Sequence, residues 1–273
     1  LTYWIFAMVM PNLDLVHALL PVTLAAGRAT LAVRARGAAV MEKDDKSPVT
    51  EADQRAEAMI IAAVRAEVPE WSIVAEEAAA AGDLPEDLTD YFWLIDPLDG
   101  TKEFIKGGTD FTVNIGLIKG NTPVLGIVYA PARGRLFYGA VGHGAFEAPV
   151  DANAIGSPRP LSVAAADTAA LNVVASKSHR DEQTDAYLAQ KKVGKLVSAG
   201  SSLKFCLVAT GEADLYPRFG PTCEWDTAAG HAVVNAAGGR VTQPDGSPFV
   251  YAKKDEKFLN TGFIVFGDPS LSL

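Results

Sequence analysis

The chain has 273 residues, 49% apolar and 21% charged, the balance of a folded globular protein large enough for one big domain or two ordinary ones. Its formal charge of -9 argues against nucleic-acid backbone or an anionic membrane as main partner, yet leaves room for a small anion that meets bound cations. Cys206 and Cys223 lack CxxC spacing, which argues against a zinc framework and fits reduced thiols in the cytoplasm.

Residues 1–9 are apolar and aromatic, without the basic start or cleavage site of a signal peptide. They read as sequence ahead of an ordinary start at Met10 or as an extra N-terminal turn, and the run breaks before the roughly 20 residues of a membrane span. Leu13, Val16, Leu19, Leu20, Leu24, Leu31 and Val33 predict a helix over 13–36, with Gly37 near its end. A charged loop over 41–48 leads to a second helix over 53–68, with Ala56, Met59, Ile60, Ala63 and Val64 inward. Strands follow over 92–95, 111–119, 124–130, 136–140 and 143–148, separated by turn dipeptides such as Gly107-Gly108 and Gly120-Asn121. Ser157-Pro158-Arg159-Pro160 is the sharpest break in composition. Beyond it, strands over 171–175, 195–197, 213–216 and 263–266 alternate with helices over 181–191, 203–211 and 226–237. The rhythm is that of an α/β chain, with an α+β domain over 10–160 and an α/β domain over 161–273.

Acidic residues collect where apolar runs stop. Residues 92–95 run into Asp96-Pro97-Leu98-Asp99-Gly100-Thr101, and strand ends in α/β proteins are where ligands are held. Asp96 and Asp99, three apart across a proline, can share a hard cation that relieves their repulsion. The same residues also spell a tight turn. Ser72-Ile73-Val74-Ala75 ends in Glu76-Glu77, and Glu224-Trp225-Asp226 opens a small-residue helix in which Asp226 also reads as an N-cap. One shared metal site accounts for all three clusters. Thr50-Glu51-Ala52-Asp53 is a helix start, and capping by Thr50 or Asp53 is its simplest role.

Trp93-x-Ile95-Asp96-Pro97-Leu98-Asp99-Gly100-Thr101 and Trp225-Asp226-x-Ala228-Ala229-Gly230 resemble the two signatures of the inositol monophosphatase family. Glu76-Glu77 and Ser47-Pro48-Val49-Thr50-Glu51-Ala52-Asp53 match its other two motifs, in the family's order. The resemblance implies a layered αβαβα sandwich of the inositol monophosphatase and fructose-1,6-bisphosphatase type, with the site between the halves. It further implies a lithium-sensitive phosphomonoesterase that works with Mg²⁺, two to three ions in all. Glu76, Asp96 and the Leu98 carbonyl would hold one ion, and Asp96, Asp99 and Asp226 a second. A weaker third would lean on Glu76 or Asp53. Asp53 would polarise the Thr101 hydroxyl, which orients the attacking water, so that Asp53, Glu76, Thr101 and Asp226 form the catalytic set. Glu77 would be the solvated member of its pair.

The string continues as Lys102-Glu103-Phe104, and Asp-Gly-Thr-Lys-Glu-Phe resembles the 3′(2′),5′-bisphosphate nucleotidase branch, whereas inositol phosphatases usually have an uncharged pair there. That branch removes the 3′-phosphate of adenosine 3′,5′-bisphosphate, a by-product of sulfate assimilation. Gly200-Ser201-Ser202-Leu203-Lys204 reads as a helix start that can hold a phosphate, although a helix lysine is ordinarily solvated. Arg218 lies where inositol enzymes commonly carry an acid; its guanidinium suits a second phosphate or a surface pair with Asp214. Ser176-Lys177-Ser178-His179 resembles a base-contacting loop, and a loop histidine is also often merely exposed. The substrate set so implied is Gly100, Thr101, Lys102, His179, Ser201, Lys204, Arg218 and Asp226. The expected reaction converts adenosine 3′,5′-bisphosphate, and by extension its sulfated relative, to AMP and phosphate. The alternatives are an inositol-1-phosphatase or broad sugar phosphatase on the same scaffold, and a binding protein without activity. The expected partner is a small phosphate ester rather than nucleic acid, with homodimers frequent in the family. The expected location is the cytoplasm, peripheral attachment to the inner membrane being the variant.

Overall fold

The computed structural model describes residues 10–37, 40–42, 48–151, 154–178 and 180–271; the readings for residues 1–9 and Ser47 lie outside these. Helix α1 (Leu13–Ala35) begins at Asn12, whose side chain accepts from the Leu15 N–H at 3.1 Å. By length and hydropathy α1 could cross a membrane, but here it is a core helix. Leu15, Val16, Leu19, Leu20 and Leu24 are buried with Ala56, Ile60 and Val64 of α2 (Glu51–Glu67). Each large side chain so buried contributes about 1.5–3 kcal/mol. The short α3 (Glu76–Ala80) is held at its start by the buried Glu57 carboxylate, which accepts from the N–H groups of Glu77 at 2.7 Å and Ala78 at 2.9 Å. Among the described residues the remaining α-helices are α4 (Thr101–Ile105), α5 (Glu182–Ala189), α6 (Leu203–Ala209) and α7 (Glu224–Ala236).

An eight-stranded sheet runs Arg159–Leu161, Gly144–Asp151, Arg135–Ala140, Thr122–Ala130, Thr112–Lys119, Tyr91–Asp99, Ser72–Ala75, with Ala154–Ile155 attached at Gly144–Asp151. Alternation along Tyr91–Asp99 sends Trp93 and Ile95 into the core under α1 and α2, and Phe92 and Leu94 into the core shared with α6 and α7. A five-stranded sheet, ordered Val193–Ala199, Leu171–Ser176, Leu215–Arg218, Phe263–Phe266, Arg240–Thr242, closes the other side of that core. Phe263 and Val265 face inward, while Ile264 and Phe266 join Leu188 of α5 on the outer face. The layers are therefore α1/α2, sheet, α6/α7, sheet, α5, the expected αβαβα order.

Helix α7 lies directly on the first sheet because two strand glycines let it. A Cβ on Gly126 would meet the Ala229 carbonyl oxygen at 2.1 Å, and one on Gly116 the Ala228 Cβ at 2.8 Å. This contact carries the start of α7, with Asp226, to the end of Tyr91–Asp99.

Several elements depart from the sequence reading, among them helix α3 and the strand Arg240–Thr242, which it did not contain. The strand expected over 92–95 continues to Asp99, so Asp96-Pro97-Leu98-Asp99 is a bulge within it rather than a turn. Asp96 pairs with Asn114 and Asp99 with Thr112, and two residues oppose one between them. Pro97, with no N–H to give, fits such a break, and the Leu98 N–H donates to Asp96 Oδ1 at 2.9 Å instead of to a strand. Helix α4 escaped pattern reading because five residues are too few to show a period. Pro160 falls inside a strand, Arg159–Leu161, at the first sheet's edge, where a missing N–H costs no ladder bond.

Candidate active site

The bulge, α3, α4 and the start of α7 surround one cavity of about 260 Å³. Glu76, Asp96, Leu98, Asp99, Gly100, Thr101 and Lys102 line it from the first sheet's side. Ser201, Ser202, Lys204, Tyr216, Arg218, Thr222 and Asp226 line it from the other. Thus the metal set predicted from sequence is brought together, with every predicted substrate residue except His179, which lies outside the described residues.

Asp53 and Asp226 occupy matching positions, each third in its helix and each completing a capping box. Asp53 Oδ2 accepts from the Thr50 N–H at 2.8 Å and the Thr50 hydroxyl at 2.7 Å. Its Oδ1 stands 3.2 Å from Thr101 Oγ1. Asp53 reaches the cavity only through this threonine, so capping and the predicted partnership coexist. Asp226 Oδ2 accepts from the Cys223 N–H at 3.0 Å, and the residue still lines the cavity. Gly100, at φ 93° and with the Asp110 carbonyl only 2.9 Å from where a Cβ would stand, makes the tight entry into α4 that turns Thr101 back over the bulge. The Thr101 hydroxyl is also 3.2 Å from the Leu98 carbonyl, so its single proton goes to one of two acceptors.

Burial, with the charges of Glu76, Asp99 and Asp226, holds the Asp96 carboxyl well above the usual carboxylate range. Asp226 is pushed the same way by its surroundings and by Asp99 and Glu76. Asp99 is raised by desolvation, with Lys204 and the Ser202 N–H opposing. Asp99 and Asp226 keep some surface open to the cavity, but protein encloses them closely enough for desolvation to dominate. Among the described residues, no three His, Cys, Asp or Glu side chains are drawn up on a single point as a closed metal cluster. The donor set nevertheless fits Mg²⁺. It is made of carboxylates and one carbonyl oxygen, and Mg²⁺ takes only one or two carboxylates beside water and phosphate oxygens. Carboxylates that destabilise each other's charge favour a divalent cation between them.

The opposite wall is cationic. Lys204 is 2% exposed, which overturns the solvated reading. Its ammonium donates to the Ser201 carbonyl and lies 5.3 Å from the Tyr216 ring centre. Burial lowers its pKa to about 8, with Asp99 acting against that fall. Arg218 does not pair with Asp214, which accepts from the Asn172 N–H at 2.7 Å. Its guanidinium instead donates to the carbonyls of Gly220 at 3.3 Å and Pro221 at 2.8 Å, bracing the loop that leads to α7. The helix-start cradle is corrected in part. The Gly200 N–H is taken by Asp110 at 3.1 Å and the Ser202 N–H by Asp99, leaving Ser201, held at φ 50°, and Lys204 as the polar groups there. Sequence reasoning missed Tyr216 and Thr222, whose only signal was their place near named residues, and read Ser202 as part of the helix-start cradle, whereas its hydroxyl is held by Asn114 and Thr112.

A layered fold with a carboxylate-rich bulge facing a basic wall defines a class. A sequence profile of the inositol monophosphatase family matches residues 16–261, and the chain belongs to that family, whose members are generally Mg²⁺-dependent. Over 232 residues it is 46% identical to the 3′(2′),5′-bisphosphate nucleotidase CysQ of Salmonella typhimurium, covering 84% of this chain and 90% of that protein. The protein of the same name from Escherichia coli K12 is 45% identical over 226 residues, covering 83% and 88%. The crystal structure of CysQ from Bacteroides thetaiotaomicron superposes with a TM-score of 0.76 at 35% identity, over 93% of this chain and 97% of that one. An inositol monophosphatase from Anabaena gives 0.73 at 26%, over 94% and 92%.

Proposed function

We propose that this chain is a Mg²⁺-dependent 3′(2′),5′-bisphosphate nucleotidase that converts adenosine 3′,5′-bisphosphate, and by extension its sulfated relative, to AMP and phosphate. The observation that carries the reading is the pairing, in one cavity, of a carboxylate wall with Lys204 and Arg218. A substrate with a second phosphate satisfies both walls, whereas a monophosphate with neutral hydroxyls leaves the basic wall unanswered. The identity to relatives named for this activity supports it.

Glu76, Asp96, Asp99, Asp226 and the Leu98 carbonyl would hold the two to three Mg²⁺ ions, which supply Lewis acidity for the attacking water and the leaving oxygen. Asp53 takes the Thr101 hydroxyl proton in a hydrogen bond, which leaves the Thr101 oxygen free to accept from water and aim it at phosphorus. Lys204 and Arg218 receive the second phosphate, Arg218 as a fork and Lys204 as a point charge. In this reading residues 10–160 act as the domain that carries most metal ligands, and 161–273 as the domain that carries Asp226 and selects substrate. A free nucleotide rather than nucleic acid, a cytoplasmic location and a homodimer belong to the same proposal.

The test compares kcat/KM for adenosine 3′,5′-bisphosphate and inositol 1-phosphate, with Mg²⁺ and after chelation. The reading expects a preference of about a hundredfold or more for the bisphosphate, abolished by the chelator. Preference for the inositol ester would hand the site to the sugar-phosphatase alternative, and no Mg²⁺-dependent release from either would make the chain a binding protein.

A further inference from the structure

The charged pair after Thr101 includes a glutamate that the reaction above does not use. Glu103 is 8% exposed in α4, at the rim of the cavity. Its Oε2 accepts from the Lys177 ammonium at 2.9 Å, and Ser178 Oγ is 3.5 Å from Oε1. Room for this carboxylate is built in, since a Cβ on Gly108 would come within 2.7 Å of Glu103 Oε2. Lys177 follows the strand Leu171–Ser176 and keeps its alternation. Ser176 and Ser178 line the cavity, whereas Lys177 does not and turns to Glu103. The bond therefore joins the first sheet's catalytic turn to a segment that hangs from the second sheet.

The neighbouring segment from the second half is fastened more heavily. Gly200 is tied to Asp110, the Ser202 N–H to Asp99, and Ser202 Oγ lies 2.7 Å from Asn114 Oδ1 and 2.8 Å from Thr112 Oγ1. Those anchors set the cavity floor. Glu103 reaches only the rim.

We infer that Glu103 is a positioning residue, a latch that through Lys177 holds the Ser176–Ser178 segment over the cavity mouth and so sets affinity for the nucleoside part of the substrate. The idea rests on the nucleotidase reading for its substrate, but not for its geometry. Lys177 turns away from the cavity and the reaction uses neither side chain, so exchanging the two charges should preserve the latch. The Glu103–Lys177 pair is half open to solvent on the lysine side, so its loss should be felt as a partial opening rather than as unfolding.

The experiment measures kcat and KM for adenosine 3′,5′-bisphosphate, and kcat/KM for inositol 1-phosphate, in Glu103→Gln, Lys177→Met and the exchange Glu103→Lys with Lys177→Glu. Expected are KM increases of about three- to tenfold in each single variant, kcat within about twofold of the parent and the small ester unaffected, with KM recovered in the exchange. Unchanged KM in the single variants, or equal losses on both substrates, would overturn the latch. Hydrogen exchange of amides 171–178 gives a second readout, expected to speed up in both single variants and to return toward the parent rate in the exchange; unchanged exchange overturns the latch even if the parent proves to prefer the inositol ester, a result that would by itself sink only the nucleotidase reading.

Discussion

Asp96 and Asp99 hang from a bulge in the strand next to the edge of an eight-stranded sheet, paired in register with Asn114 and Thr112, whereas Arg218 is held by carbonyls of its own loop and Lys204 by a residue of its own turn. The first wall is fixed by long-range pairing; on the second, the segment before Lys204 is tied across to Asp110, Asp99, Asn114 and Thr112, but the Lys204 and Arg218 side chains themselves are held by neighbours in sequence. The difference teaches where change is tolerated. A bulge carboxylate cannot move without breaking register, so the chemistry is bound to the fold. The basic wall can be rewritten locally, so specificity can vary on the same scaffold.

Removing one acid from the fixed wall should therefore have the largest effect. Asp99→Asn should cut phosphate release by about a thousandfold or more while the melting temperature stays within a few degrees. An equally large fall in melting temperature would show that Asp99 serves the bulge rather than the reaction. Next comes the Asp53–Thr101 pair. Thr101→Ala should lower kcat by about a hundredfold with little change in KM, and Thr101→Ser should retain most activity; a purely structural threonine would not distinguish the two. On the adaptable wall, Arg218→Ala should raise KM for adenosine 3′,5′-bisphosphate by about ten- to a hundredfold, and leave adenosine 3′-monophosphate nearly unaffected. Equal losses would make Arg218 only the brace of its loop.

The smallest effect is a titration. With its pKa lowered to about 8, Lys204 is charged below that pH and neutral above it. Attraction for the second phosphate is therefore present on the acid side and lost as pH rises through about 8. KM for the bisphosphate should climb above that point, and Lys204→Arg, whose charge does not titrate in this range, should flatten the climb. A profile unchanged by the substitution would assign the titration elsewhere.

The acidic residues of the site were legible in the sequence because they sit in short contiguous strings after apolar leads, at Glu76, Asp96, Asp99 and Asp226. Their convergence was legible only as the economy of one metal site, since nothing in residues 224–230 says which strand end they approach. That is decided by Gly116 and Gly126, whose missing side chains admit α7. The proline at 97 read as a turn because a bulge and a turn share the same residue preferences; only the partner strand separates them. Lys204 read as a phosphate contact with a solvated alternative beside it, because lysine is usually solvated. Its burial comes from the stacking of α6 between two sheets, a layering that the family resemblance supplied and that the continuous apolar run of residues 92–95 does not reveal.

The central claim is that Glu76, Asp96, Asp99 and Asp226 together bind divalent cations. Isothermal titration of Mg²⁺ into chelator-stripped protein, beside Asp96→Asn and Asp226→Asn, tests it without relying on turnover. The expected result is saturable binding to the parent protein, weakened by about tenfold or more in each variant. Equal binding by all three proteins, or none by the parent, would contradict it.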